Sequence, residues 1–282
     1  MRRVATAMLP VWIALGCSRE QAPISGAKPS TAPVAASAPP AVATVAFAPA
    51  APVVPRGLAC LARLYTGKAV LAEAEWWLEL SDGARIRWDD RRAKTAEEQL
   101  DAPDLEDMLE TPYPRGPIAK VTLVDHDPGR ARVERLFEAT YGATEKAVRS
   151  ALVPWKLRGH VMVVHPRALP AFERVRVRLD GAIAKDPTLA PFFDHPGGTF
   201  VFRTIAGTSR RSAHAFGIAL DIDTSRSHYW RNDGKAVAWK NSVPQAIVDA
   251  FEAEGFVWGG RWWHYDTMHF EWRPELFDAD CR

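Results

Sequence analysis

Two stretches of the sequence carry the clearest structural pattern: Ser212-Ala-His-Ala-Phe-Gly-Ile-Ala-Leu-Asp221 and, downstream, Asp266-Thr-Met-His269. In residues 217–223, apolar side chains alternate with small or acidic ones, which is the period of a β-strand with one buried face. The residues around His269 alternate in the same way. The sequence therefore predicts two strands that present polar side chains from the faces turned away from the core.

The polar residues of these stretches are candidate metal ligands. A catalytic zinc takes three protein ligands of the His, Asp or Glu type and keeps one position open for water. His214, Asp221 and His269 supply that set, and we expect one Zn²⁺ per chain. A lone strand histidine is more often structural, but several costly polar groups beside apolar runs, without obvious cationic partners, favour a metal. Asp266 would lie at the mouth of the second strand, where a general base belongs.

In these residues the chain resembles the zinc D-alanyl-D-alanine carboxypeptidase family of the vancomycin-resistance type, which includes L-alanyl-D-glutamate endopeptidases. The family pattern is Ser-x-His-x-x-Gly-x-Ala-x-Asp, followed by Glu or Asp-x-x-His. Every position is filled here, from Ser212 to Asp221 and then by Asp266 and His269. The resemblance covers roughly residues 159–274.

The resemblance implies a zinc peptidase that hydrolyses peptidoglycan stem peptides. It implies zinc on the three ligands named above and Asp266 as the base that accepts a proton from zinc-activated water. It also implies that Ser212 and Arg203 contact the substrate or the oxyanion, with Arg203 in a short strand over residues 199–203. The bond cleaved is either D-Ala-D-Ala, by a carboxypeptidase, or L-Ala-D-Glu, by an endopeptidase. Asp rather than Glu as the base is more similar to the endopeptidase branch.

Two alternatives remain open, one for the ligand set and one for the function. His264 and Asp223 lie close in sequence to the site and could orient ligands or line the cleft, and His264 could compete as a ligand. The chain could also be a non-catalytic peptidoglycan-binding lipoprotein on the same fold. Such relatives usually lack the base or a ligand, and both are present here, which favours the enzyme.

The N-terminus resembles a bacterial lipoprotein signal. Two arginines precede an apolar run over residues 4–16 and then Cys17. The alternative is a transmembrane anchor, but about 13 apolar residues are too few to span a bilayer. We therefore predict a signal peptide over residues 1–17 with lipid on Cys17. Ser18 after the cysteine favours the outer membrane, so we expect a periplasm-facing lipoprotein of the bacterial cell envelope, held to the membrane by its lipid alone.

The rest of the chain divides into three predicted parts. Residues 18–56 are rich in Ala and Pro and predict a disordered tether. Residues 57–150 form a lead region with a β-hairpin around an Asp82-Gly83 turn, and residues 151–282 form the zinc peptidase domain. The net charge of +2 lacks the basic excess that nucleic-acid binding needs, so no nucleic-acid partner is expected.

The order of elements predicts an α+β fold. Ser242-Val-Pro-Gln245 predicts a capping box that begins a helix ending at Gly255, just before the stretch that contains His269. Strands and helices in this order favour a small, mainly antiparallel sheet with flanking helices and the zinc site on its open face.

The cysteines agree with export. With lipid on Cys17, Cys60 and Cys281 remain as an even pair in an oxidising compartment, which predicts a disulfide between the two ends of the folded region. The alternative is two free thiols.

Overall fold

A computed structural model describes residues 51–234 and 237–282 of the chain. Within this part, the α-helices are α1 Arg56–Leu64, α2 Ala96–Asp101, α3 Asp107–Glu110, α4 Glu134–Tyr141, α5 Glu145–Ala151, α6 Leu169–Lys185 and α7 Gln245–Glu252. The strands are β1 Lys68–Ala72, β2 Glu75–Glu79, β3 Arg85–Arg87, β4 Val153–Leu157, β5 His160–Val164, β6 Pro196–Gly198, β7 Ala219–Asp223, β8 Phe256–Trp258 and β9 His269–Trp272. Short 3₁₀ helices span Pro187–Phe193, Ala213–Phe216, Thr224–Arg226, Trp230–Asp233, Gly259–Arg261, Pro274–Leu276 and Ala279–Cys281.

The predicted hairpin is present in the first sheet, which has the antiparallel order β1-β2-β3. Glu79 lies opposite Arg85 across the turn. The Asp82 carboxylate accepts the amide of Ala84 at 3.0 Å, and Gly83 has φ +81°, a conformation that glycine adopts without a Cβ penalty. The Asp-Gly signal therefore identifies this turn correctly.

Both motif stretches lie in one antiparallel sheet of order β6-β7-β9-β8. In its register Asp221 of β7 pairs with His269 of β9, and Leu220 pairs with Phe270. Because side chains alternate along a strand, the first pair faces away from the core that Leu220 and Phe270 enter. The predicted α+β class and antiparallel sheet are confirmed.

One hydrophobic core extends over both halves of the described chain. It contains Leu58 and Phe137 from the lead region together with Phe172, Leu220 and Phe270 from the second half. The boundary between residues 150 and 151 stays a prediction.

A disulfide joins Cys60 in α1 to Cys281 in the last 3₁₀ helix, across a sequence separation of 221 residues. Its Cα atoms are 5.0 Å apart, and both cysteines are buried. The two ends of the described chain are thereby linked covalently.

Two local predictions are wrong. Helix α7 begins after Pro244, which is its N-cap, and no side chain caps it. The Ser242 hydroxyl is instead occupied by the ring of His228 at 2.8 Å, and the Asn241 side chain accepts the amide of Val243. Residues 199–203 are not a strand, since their backbone runs irregularly from the end of β6 to the isolated bridge at Thr204.

The predicted signal peptide, Cys17 and most of the tether lie outside the described residues. Within the described ranges, no helix combines the length and apolar character needed to cross a bilayer.

Candidate metal centre

Three side-chain atoms form an almost equilateral triangle at the junction of β7 and β9. Nε2 of His214 lies 3.0 Å from Oδ1 of Asp221 and 3.1 Å from Nδ1 of His269. The distance from Nδ1 of His269 to the same Asp221 oxygen is 3.0 Å. The two strands set the Asp221 to His269 edge, because these residues are directly paired in the sheet.

The turn before β7 brings His214 to this triangle. Ser212 is the N-cap of the 3₁₀ helix Ala213–Phe216, and its side chain accepts the amide of His214. Gly217 ends the helix at φ +67°, and a Cβ there would lie 2.5 Å from Leu152. Gly197 on the neighbouring strand leaves room beside Asp221, where an added Cβ would lie 2.9 Å from the aspartate Cβ. Gly217 of the motif and Gly197 beside it are therefore steric requirements.

The outer nitrogens of both histidines face acceptors. Nδ1 of His214 lies 3.3 Å from the carbonyl of Thr199, and Nε2 of His269 lies 3.1 Å from Oε2 of Glu271. These acceptors favour N–H on the outer nitrogens and lone pairs on the inner ones. Two lone pairs and a carboxylate oxygen then converge on one point, and such an arrangement calls for a cation.

The triangle fits zinc. Bonds of about 2.0–2.2 Å in a tetrahedral site separate the ligand atoms by about 3.3–3.6 Å, so the sides of 3.0 to 3.1 Å need to open by only a few tenths of an ångström. Within the described ranges, this is also the candidate metal cluster that contains histidine. His214, Asp221 and His269 are the residues that would hold the ion.

The charges of the triangle shift its pKa values in opposite directions. Burial raises the pKa of Asp221, but the two neighbouring imidazoles outweigh this effect and hold it well below its usual range. Burial lowers the pKa of His269, yet hydrogen bonds to Asp221 and Glu271 raise it to about 10 in the metal-free chain. A metal ion must therefore displace a proton from His269.

Asp266 lies three residues before β9 and lines the same cavity as the three residues of the triangle. Its carbonyl accepts the amide of His269 at 3.1 Å, which fixes the turn between the two residues. Its Oδ1 atom is buried and has no hydrogen-bond partner among the described residues. Burial, and then the charge of Asp221, raises the pKa of Asp266 to about 6. A carboxylate with a raised pKa and one buried, unpaired oxygen has the properties of a general base.

Glu271 contacts a candidate ligand, and the sequence patterns did not single it out. It is almost fully buried and accepts a hydrogen bond from the outer nitrogen of His269. Burial raises its pKa, but the charge of Arg132 and the bond to His269 lower it far below the usual range, so Glu271 is ionised. Strand alternation places Glu271 on the face of His269, but Arg132 is 139 residues away in sequence and no local pattern indicates it.

Ser212 and Arg203 both line the cavity, whose volume is about 290 Å³. Arg203 is exposed and bonds to the carbonyl of Thr204 at 3.3 Å, with no carboxylate partner among the described residues. Ser212 is buried, and its oxygen already accepts the amide of His214 at 3.4 Å. Arg203 thus offers a cation to an anionic ligand, and Ser212 has its hydroxyl proton to donate.

His264 and Asp223 are occupied outside the triangle. Nδ1 of His264 lies 2.9 Å from Oδ2 of Asp127, and in the described part of the chain His264 is not a member of the metal cluster. Asp223 accepts both the amide and the hydroxyl of Ser225 and so caps the turn after β7. His264 is therefore not positioned as a competing ligand, and its side chain lines the cavity.

Residues 206–272 match the family model described as D-alanyl-D-alanine carboxypeptidase. The match covers 67 of the 282 residues and contains His214, Asp221, Asp266 and His269. It lies inside the range of 159–274 over which the sequence resembles that family. The match confirms the resemblance for this segment. Arg203 precedes the match by three residues.

Proposed function

We propose that this chain is a zinc-dependent peptidase of peptidoglycan that hydrolyses stem peptides, acting as a D-Ala-D-Ala carboxypeptidase or an L-Ala-D-Glu endopeptidase. The observation that supports it most is the convergence of His214, Asp221 and His269 beside the buried, unpaired oxygen of Asp266. The family match supports the reaction class and the zinc. A protein that only binds peptidoglycan has no need of an unpaired carboxylate in this position.

Each residue of the cavity has a separate task in this reaction. Zinc, when bound, supplies Lewis-acid polarisation of the scissile carbonyl and makes water more acidic. Asp266 accepts the proton of the attacking water and delivers it to the leaving amine. Arg203 binds a carboxylate of the substrate or the developing oxyanion. Ser212 donates a hydrogen bond from its hydroxyl group to the substrate.

The enzyme acts from a membrane anchor in this proposal. Lipid on Cys17 holds it in the bacterial cell envelope, facing the periplasm, and the outer membrane is the proposed site. At about 3.1 Å per residue, a stretched tether over residues 18–56 reaches on the order of 100 Å, far enough to meet cell-wall peptides. Replacing Cys17 by Ser is expected to release the protein from membranes or to block its processing. Equal membrane association of both forms would contradict the lipid anchor.

Digestion of purified peptidoglycan tests the activity. Mass analysis of the soluble products identifies the bond, because loss of a terminal D-Ala marks a carboxypeptidase and a new D-Glu amino terminus marks an endopeptidase. A chelator should abolish the reaction and added Zn²⁺ should restore it. Binding to peptidoglycan without any cleavage, in the presence of zinc, would contradict the proposal and favour the non-catalytic lipoprotein.

A further inference from the structure

The buried carboxylate of Glu271 connects His269 to two arginines. Its Oε2 lies 3.1 Å from Nε2 of His269 and 2.6 Å from Nη1 of Arg132. Its Oε1 lies 3.3 Å from Nη1 of Arg273. Only 1% of Glu271 is exposed, and a buried carboxylate is tolerated only where charges and hydrogen bonds compensate its lost hydration. The two arginines therefore hold the Glu271 carboxylate in the position where it meets the outer nitrogen of His269.

Backbone carbonyl groups, two of them in residues 129–132, hold both arginines in place. Arg273 donates to the carbonyl of Gly129 and, at 2.9 Å, to that of Ala131. Arg132 uses its second nitrogen to bond the carbonyl of Arg211 at 3.0 Å. Both guanidinium groups are thus held from two sides. The segment comes from the lead region and lies outside the residues that match the peptidase family.

We infer that Arg132 and Glu271 are positioning residues that hold His269 ready for the metal, so that the lead region completes the metal centre. This rests on the zinc site of the proposed function. A carboxylate on the outer nitrogen of a ligand histidine fixes the tautomer and the ring orientation and makes the inner nitrogen a better donor to the metal. Neither Glu271 nor Arg132 binds the ion. Arg132 acts through Glu271, and Glu271 acts through His269.

Metal affinity of the full-length protein is the readout, measured by competition with a chromophoric chelator. Glu271→Gln and Arg132→Met are expected to weaken zinc binding roughly 10–100-fold, the usual effect of losing an outer-shell partner. The visible spectrum of the cobalt(II)-substituted protein should change in both variants, because the d–d bands report the symmetry of the coordinating atoms. Arg132→Lys keeps the charge and should recover part of the affinity.

Glu254 provides a control for the loss of a carboxylate that pairs with two arginines. Its side chain is 6% exposed, and it pairs with Arg174 and with Arg178, the latter at 2.6 Å, although both arginines are more than half exposed. It does not line the cavity among the described residues. Glu254→Gln should lower the unfolding midpoint of the metal-free protein, because it removes a largely buried charge from its two arginines, yet leave zinc affinity and the cobalt spectrum unchanged.

The outcomes separate this inference from the proposed function. Unchanged zinc affinity and an unchanged cobalt spectrum in Arg132→Met would overturn the positioning role while leaving the zinc site intact. Equal losses in the Glu254 and Glu271 variants would also overturn it, since the effect would then be one of general stability. If Glu271→Gln does not fold, Arg132→Met and Arg132→Lys decide the question. If the protein without any substitution binds no zinc, the proposed function is overturned, and the positioning role with it.

Discussion

Nε2 of His214 lies 3.1 Å from Nδ1 of His269, and both nitrogens lie 3.0 Å from one oxygen of Asp221. In the metal-free chain, a proton on one ring can hydrogen-bond to a neighbouring atom of the triangle, but it is covalently bound to one nitrogen only. A cation between the three atoms attracts all of them at once.

Replacing a ligand should remove the metal. His214→Ala or His269→Ala leaves two protein ligands. The loss of the third ligand should lower bound zinc from about one per chain to near zero after dialysis. Metal analysis of purified protein measures this. His160→Ala, at the edge of β5 and outside the cavity lining, is the control that should keep its zinc. Full zinc in both ligand variants would contradict the site.

Zinc binding should strengthen steadily with pH. In the metal-free chain the pKa of His269 is raised to about 10, because hydrogen bonds to Asp221 and Glu271 outweigh its burial, so zinc must expel a proton at neutral pH. Each pH unit below 10 then lowers the apparent association constant by up to about tenfold. Chelator competition from pH 6 to 9 tests this. A histidine of ordinary pKa would instead give a constant affinity above about pH 7.

Acid should destabilise the fold through His165. Burial, assisted by the charge of Arg167, lowers its pKa to about 4, so the folded protein keeps this ring neutral. The unfolded chain binds the proton near pH 6.5, and stability is therefore lost as the pH falls from about 6.5 to about 4, by up to about 3 kcal/mol. Urea unfolding of metal-free protein at several pH values measures the loss. His165→Gln should flatten this dependence, and an unaltered pH profile in that variant would contradict the assignment.

Reduction of the disulfide should destabilise the protein. Cys60 and Cys281 close a loop across 221 residues, for which the loop-entropy model gives an upper value of roughly 5 kcal/mol. Urea unfolding with and without a reductant should show a lower midpoint in the reduced protein. The double variant Cys60→Ala/Cys281→Ala should match the reduced protein and ignore the reductant. Two titratable thiols in the untreated protein would contradict the disulfide.

The parts of the site that were predictable are those with local patterns. The alternation around Asp221 and His269 predicts two strands with one apolar face, and the sheet pairs these residues directly. The Asp82-Gly83 turn is equally local, because its conformation depends on Gly83 itself. Patterns of this kind determine a strand or a turn within a few residues.

The parts that were missed depend on distant segments. Arg132 meets Glu271 only because the chain before α4 packs against β9, and no spacing rule connects residues 139 positions apart. The wrong capping box has a similar cause. Ser242 bonds to His228, which approaches from another loop, while Pro244 begins the helix without a side-chain cap. Local sequence propensity cannot reveal which partner a side chain bonds in the folded protein.

The most direct test of the account is the activity of Asp266→Asn with its metal content measured in the same preparation. Asp266 is not a ligand, so the variant should fold and hold about one zinc per chain, while losing a general base that typically contributes about 10²–10⁴-fold to the rate. The release of cleaved stem peptides from purified peptidoglycan, followed by mass analysis, should fall by that factor. Full activity in a zinc-loaded Asp266→Asn variant would contradict the proposed mechanism.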